Sequence, residues 1–293
     1  KRVHAVLPHA TLASDDALLI PKTKDGRVVF AVPFEGKLLL GTTDDDYWDL
    51  GKEPVLEAAE VDFLLETLQP FLSDKLENEQ VKAGFGGLRP LVASTNDQTQ
   101  SLVRDHEVEH DPASNLLSLL GGKWTTYRLM AKDAVDAACD LLGFSAECRT
   151  EAHLLAGAEG YSPDLWKKIQ AEYGFETDIS QHLAQKYGIK AEQVGAIVRQ
   201  KPELAERLLA GFPFIKAEIV YTVREEMACT LRDFLARRIR LEITDWQAAI
   251  QAAPVVAKIM GDELEWTADQ QQNKAEGYIE LLELFKKSAD GNQ

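Results

Sequence analysis

Apolar and polar positions alternate through the first part of the chain, and this period of two predicts strands at residues 3–7, 18–20, 27–32 and 38–41. Asp25-Gly26 and Glu35-Gly36-Lys37 are tight-turn signals, so 27–32 and 38–41 read as a hairpin. The period then lengthens. Over 53–72, Val55, Leu56, Ala59, Phe63 and Leu64 fall near one face of a helix. Strand patterns return at 81–85, 102–107 and 116–120, and a helical stretch covers 129–142. From about residue 151 strand patterns vanish, and short helices punctuated by Gly and Pro take over. Across 215–241, Ile215, Ile219, Val223, Met227, Leu231, Leu235 and Ile239 recur every four residues, a stripe that predicts a helix burying one face. The chain therefore reads as mixed α/β over 1–150 and all-α over 151–293.

A length of 293 residues accommodates two such domains, each with its own core. The net charge of −16 argues against a nucleic-acid partner, which requires a concentrated basic surface. No apolar run approaches the roughly 20 residues that span a bilayer, and no signal peptide is visible. Cys139, Cys148 and Cys229 lack metal-type pairing and read as reduced thiols of a cytoplasmic protein; no metal site is expected. The chain starts at Lys1 and enters a strand almost at once, which reads as the interior of a larger protein.

Candidate chemistry concentrates in Gly121-Gly122-Lys123-Trp124-Thr125-Thr126-Tyr127-Arg128, between a strand and a helix. Glycines admit close backbone approach, and the first N–H groups of a helix have no intrahelical partner, so the run suits an anionic or accepting ligand. It is no P-loop, because Leu117 and Trp124 stand where that motif needs Gly and Ser or Thr. A glycine turn before a helix is as often structural as functional. The arginines of 215–241 suggest a phosphate surface, but a solvated face paired with its own acidic neighbours is the commoner outcome.

Four more sites combine turns with polar groups: His4 in the first strand, Gly41-Thr42-Thr43-Asp44 after the hairpin, Gly86-Gly87-Leu88-Arg89-Pro90-Leu91, and Arg104-Asp105. Singly each is ordinary, since a lone strand His is usually structural and Thr-Thr at a strand end is commonly turn chemistry. As an ordered set with GGKWTTYR, they resemble the FAD-dependent glycerol-3-phosphate dehydrogenases. Lys216-Ala217-Glu218-Ile219-Val220-Tyr221 through Arg238 extends the resemblance over nearly the whole chain.

The resemblance implies an FAD domain, a substrate domain with an antiparallel sheet, and a C-terminal helical domain. Residues 1–150 would be the substrate domain plus the closing FAD segment, and 151–293 the helical domain. The family's N-terminal GxGxxG does not occur here, so this chain reads as a C-terminal portion, inactive alone. Activity would be oxidation of glycerol 3-phosphate to dihydroxyacetone phosphate, with electrons passed to quinone. The enzyme would be cytoplasmic, with peripheral contact at the inner face of the cell membrane, and a homodimer is compatible with it. Arg104 would hold the phosphate, Arg89 would lie nearer the reacting carbon, and Thr43 would orient the substrate or the flavin through its hydroxyl. His4 would be the base. Gly121, Gly122, Lys123 and Thr125 would meet the flavin. Two alternatives stand beside this: an α-glycerophosphate oxidase using O₂, and a non-catalytic interaction module.

Overall fold

A computed structural model describes residues 1–24, 26–89 and 106–291. Five antiparallel strands form the main sheet: β1 (Arg2–Pro8), β2 (Leu18–Ile20), β3 (Val29–Phe34), β4 (Lys37–Gly41) and β5 (Ala83–Gly87), in the order β2-β3-β4-β1-β5. The hairpin expected from Glu35-Gly36 joins β3 to β4, and both turn residues have positive φ, as a two-residue hairpin turn demands. Alternation assigns one face to the core. Val3, Ala5 and Leu7 share it with Leu38 and Leu40 of β4 and with Val29 and Ala31 of β3, all fully buried.

The helix expected at 53–72 is shorter. Pro54 holds its neighbour extended, and Glu57 and Glu60 form a capping box that starts α1 at Ala58–Leu68. Val61, Leu64 and Leu68 join the sheet's core, together with apolar residues of α7 (Leu231–Leu235), α8 (Trp246–Glu263) and α9 (Ala268–Asp290). A second cluster is built by α3 (Leu165–Tyr173), α4 (Thr177–Tyr187), α5 (Ala191–Gln200) and α6 (Ala217–Glu226), and Ile259 of α8 packs against both.

The 215–241 stripe is not one helix. α6 ends at Met227, which adopts a left-handed conformation and is 81% exposed, and a capping box between Thr230 and Asp233 starts α7 afresh. The four-residue spacing survives because both short helices and the turn after α7 bury the same kind of residue: Ile219, Leu231, Leu235 and Ile239 are all buried. The arginines are engaged by acidic residues from several elements. Arg224 pairs with Glu263, Arg232 with Glu53 and Glu242, Arg237 with Asp233, Arg238 with Glu226 and Arg240 with Glu35.

The chain's contacts divide it into two compact units, Lys1–Leu88 with Ala156–Gln293 and Arg89–Leu155. This differs from the expected division at residue 150, because the strands of the first third and the helices of the last third build one core. The second unit contains the hairpin β6 (His106–Asp111) and β7 (Leu116–Gly121) and the helix α2 (Tyr127–Leu142). Of the strand expected at 102–107, only the part from His106 lies within the described residues.

Candidate functional site

A single row of side chains crosses the main sheet through its register: Leu19, Phe30, Gly41, His4 and Phe85, one from each strand. These residues share the face opposite the core. Leu19 and Phe30 are 52% and 46% exposed, so this apolar face is only partly covered. His4 stands in the row beside the one position without a side chain. A Cβ on Gly41 would lie 2.3 Å from His4 Cδ2 and 3.0 Å from Nε2, so the imidazole occupies the space over Gly41. On its other flank the imidazole stacks on Phe85, with ring centroids 5.0 Å apart and planes 18° from parallel.

Burial pushes the His4 imidazole below its ordinary pKa, and the nearby Arg2 guanidinium adds to the effect. At neutral pH His4 is therefore uncharged and carries a lone pair. Its Nδ1 is buried with no hydrogen-bond partner among the described residues, a costly condition in an interior unless a ligand group completes it. His4 was expected from the sequence, Phe85 was not, and Gly41 was placed only as the end of the strand at 38–41. A glycine directly across from a strand histidine was the available signal.

Thr43 is buried, and its hydroxyl oxygen accepts the Val3 backbone N–H at 3.1 Å. This contact ties the segment after β4 to the strand bearing His4. The adjacent Asp44 carboxylate takes the Arg2 guanidinium. Gly86 has a packing reason: a Cβ there would sit 2.5 Å from the Pro54 carbonyl oxygen. Arg89 is exposed in the coil after β5, and Arg104 lies outside the described residues. Thr43 thus lies against the backbone of the strand that bears His4.

In the second unit, Gly121 and Gly122 both have positive φ and end β7. A short 3₁₀ turn, Trp124–Thr126, follows before α2 begins at Tyr127, two residues ahead of the start expected at 129. At Gly122 a Cβ would also fall 2.5 Å from Sδ of the flexible Met130 side chain, which would have to move. Lys123 and Thr125 are exposed on this corner, and Trp124 stacks on Tyr127. Thr126 closes the turn by donating its hydroxyl to the Lys123 carbonyl. The result is a solvent-facing corner with one cation and a run of short-turn amides, suited to an acceptor-rich ligand edge.

Residues 148–271 match the family model of the C-terminal domain of alpha-glycerophosphate oxidase. The mitochondrial glycerol-3-phosphate dehydrogenase of Mus musculus is 38% identical over 288 residues, covering 96% of this chain and 39% of that protein. The chain is a relative of the glycerol-3-phosphate dehydrogenases. The Arabidopsis thaliana mitochondrial glycerol-3-phosphate dehydrogenase is 36% identical, with 98% of this chain and 48% of that protein covered. Among solved structures, the glycerol-3-phosphate dehydrogenase from Bacillus halodurans complexed with FAD superposes with a TM-score of 0.81 at 29% identity. That match covers 98% of this chain and 56% of the other. The chain thus spans about two fifths of the mouse relative's length. The family resemblance expected from GTTD, RPL and GGKWTTYR is borne out.

Proposed function

We propose that this chain supplies the substrate-binding sheet, a flavin-closing segment and the helical C-terminal domain of an FAD-dependent enzyme that oxidises glycerol 3-phosphate to dihydroxyacetone phosphate. The observation that carries the reading is His4: an uncharged imidazole with an orphaned Nδ1 on a partly covered face, in a chain related to such dehydrogenases along nearly its full length. An imidazole kept neutral near working pH can take the proton of the C2 hydroxyl. Arg104 and Arg89 are assigned to the substrate's phosphate and reacting end, because guanidinium binds phosphate oxygens two at a time and stays charged. Thr43 ties the segment after β4 to the start of β1 and is assigned to orienting the substrate.

Taken by itself, the corner of the second unit suits the ring end of FAD: its Gly121–Gly122 turn presents Lys123 and Thr125 to solvent. The GxGxxG that cradles a pyrophosphate is not among this chain's residues. Bound FAD would supply the hydride acceptor, and Lys123 with the amides of the corner would favour the negative charge that reduction brings.

Quinone is the proposed acceptor, which places the enzyme peripherally at the inner face of the membrane. No helix among the described residues is long and apolar enough to cross a bilayer. The match of 148–271 to an alpha-glycerophosphate oxidase domain favours one second reading, transfer of electrons to O₂. Peroxide yield against quinone reduction on the complete protein separates the two. The primary test is anaerobic addition of glycerol 3-phosphate to the complete flavoprotein. Bleaching of the flavin spectrum supports the reading. Bound flavin that stays oxidised overturns the substrate assignment, and a protein purified without flavin that takes up none overturns the cofactor.

A further inference from the structure

Nothing in the proposed chemistry explains why the imidazole of His4 should lie flat between an aromatic ring and a bare backbone. The two neighbours differ in what they do. Gly41 makes room, since any Cβ there would collide with Cδ2 at 2.3 Å and Cγ at 2.9 Å. Phe85 supplies a surface, with its ring 18° from parallel at 5.0 Å. A terminal sp³–sp² torsion such as His χ2 is intrinsically broad, so the ring plane must be set by what packs against it. No hydrogen bond to Nδ1 sets it, because that atom has no partner among the described residues.

We propose that Phe85 is a positioning residue for His4: its stacked ring fixes the imidazole plane over Gly41 and closes one face of it to water. The proposal rests on the reading of His4 as the base. Stacking an apolar plate on the imidazole withholds hydration from the imidazolium, in the direction that burial already imposes. The charged group acting on His4 is Arg2 on its own strand, whose guanidinium is engaged by Asp44. The residues paired with His4 on β4 and β5, Gly41 and Phe85, carry no charge. Phe85 is thus the neighbour whose removal changes hydration without changing charge.

The test compares Phe85→Leu and Phe85→Met with Phe85→Trp in the complete protein. Modification of His4 by diethyl pyrocarbonate, followed by peptide mass spectrometry as a function of pH, reports the imidazole titration without turnover. Phe85→Leu should raise its midpoint by about half a unit or more and speed modification, and Phe85→Trp should restore both. In turnover, kcat should fall about tenfold with KM within about twofold, since only the aim of the base is lost. The acid limb of the rate profile should move to higher pH with the same midpoint. If Phe85→Leu does not fold, Phe85→Met, similar in volume but without a flat plate, carries the comparison. An unchanged His4 midpoint and modification rate overturn the positioning role. A shifted midpoint in an enzyme whose turnover is indifferent to His4→Gln overturns the base assignment and leaves the positioning intact.

Discussion

Arg232→Met should expose how the sheet is tied to the helices that complete its core. Arg232 donates to both carboxylate oxygens of Glu53 at 2.6 Å and, through Nε, to Glu242 at 2.8 Å. The two acids differ sharply in environment. The Glu53 side chain is 45% exposed, whereas that of Glu242 is 3% exposed. The Glu53 arm is therefore a partly solvated pair worth less than about 1 kcal/mol. Removing the guanidinium leaves Glu242 as an unpaired carboxylate in the interior, which typically costs about 3–5 kcal/mol. Methionine keeps the apolar stem near Phe285 but loses the cation over its ring. Burial already holds the Glu242 carboxyl above its usual range despite Arg232, and losing Arg232 raises it further. A carboxyl raised on folding is costly where it is ionised, and the cost is relieved as pH falls through its folded pKa. Urea unfolding should therefore show the full loss near about pH 8 and a smaller one near about pH 5. Glu242→Gln in the Arg232→Met background should recover more than half of it. A loss under about 1 kcal/mol at the higher pH, or one equal at both and untouched by Glu242→Gln, would refute this reasoning.

Three further expectations test other parts of the structure. Gly122→Ala combines a positive φ of 84° with a Cβ 2.5 Å from Met130 Sδ, and should destabilise the β7–α2 corner by about 1–3 kcal/mol, read by hydrogen exchange in that segment. Adding Met130→Ala should relieve the clash and leave the backbone strain of about 1 kcal/mol. Glu218→Leu should cost about 3 kcal/mol in thermal unfolding, because it strands the Tyr187 hydroxyl, His182 Nε2 and the Ile215 N–H that this buried carboxylate now engages. Glu218→Gln should cost distinctly less, and Tyr187 should stay protonated through alkaline titration, since burial and Glu218 push its phenol far up.

The strands of the main sheet were legible because the core-facing side imposes a period of two, visible in Val3, Ala5 and Leu7, even though Val6 on the opposite face is buried as well. His4 was legible as a residue, and only the register shows it lodged between Gly41 and Phe85, residues that are 37 and 81 positions away along the chain. Periodicity failed at Met227, where a run that keeps its four-residue spacing is broken by a left-handed residue and restarted by a capping box. The Thr230-x-x-Asp233 spacing was a local sign of that restart. The unit boundary was hidden for a different reason. Texture along the chain reports local structure, whereas the packing of α8 and α9 with the sheet depends on contacts across most of the sequence.

The central claim is that the imidazole on β1 removes the substrate's hydroxyl proton. Its most direct test is anaerobic single-turnover flavin reduction by glycerol 3-phosphate, comparing the complete wild-type protein with His4→Gln at matched flavin content across pH. The account predicts a rate about 10²–10⁴-fold lower in His4→Gln, with the acid limb of the profile abolished and flavin binding unchanged. Equal rates and an unaltered pH profile would contradict it.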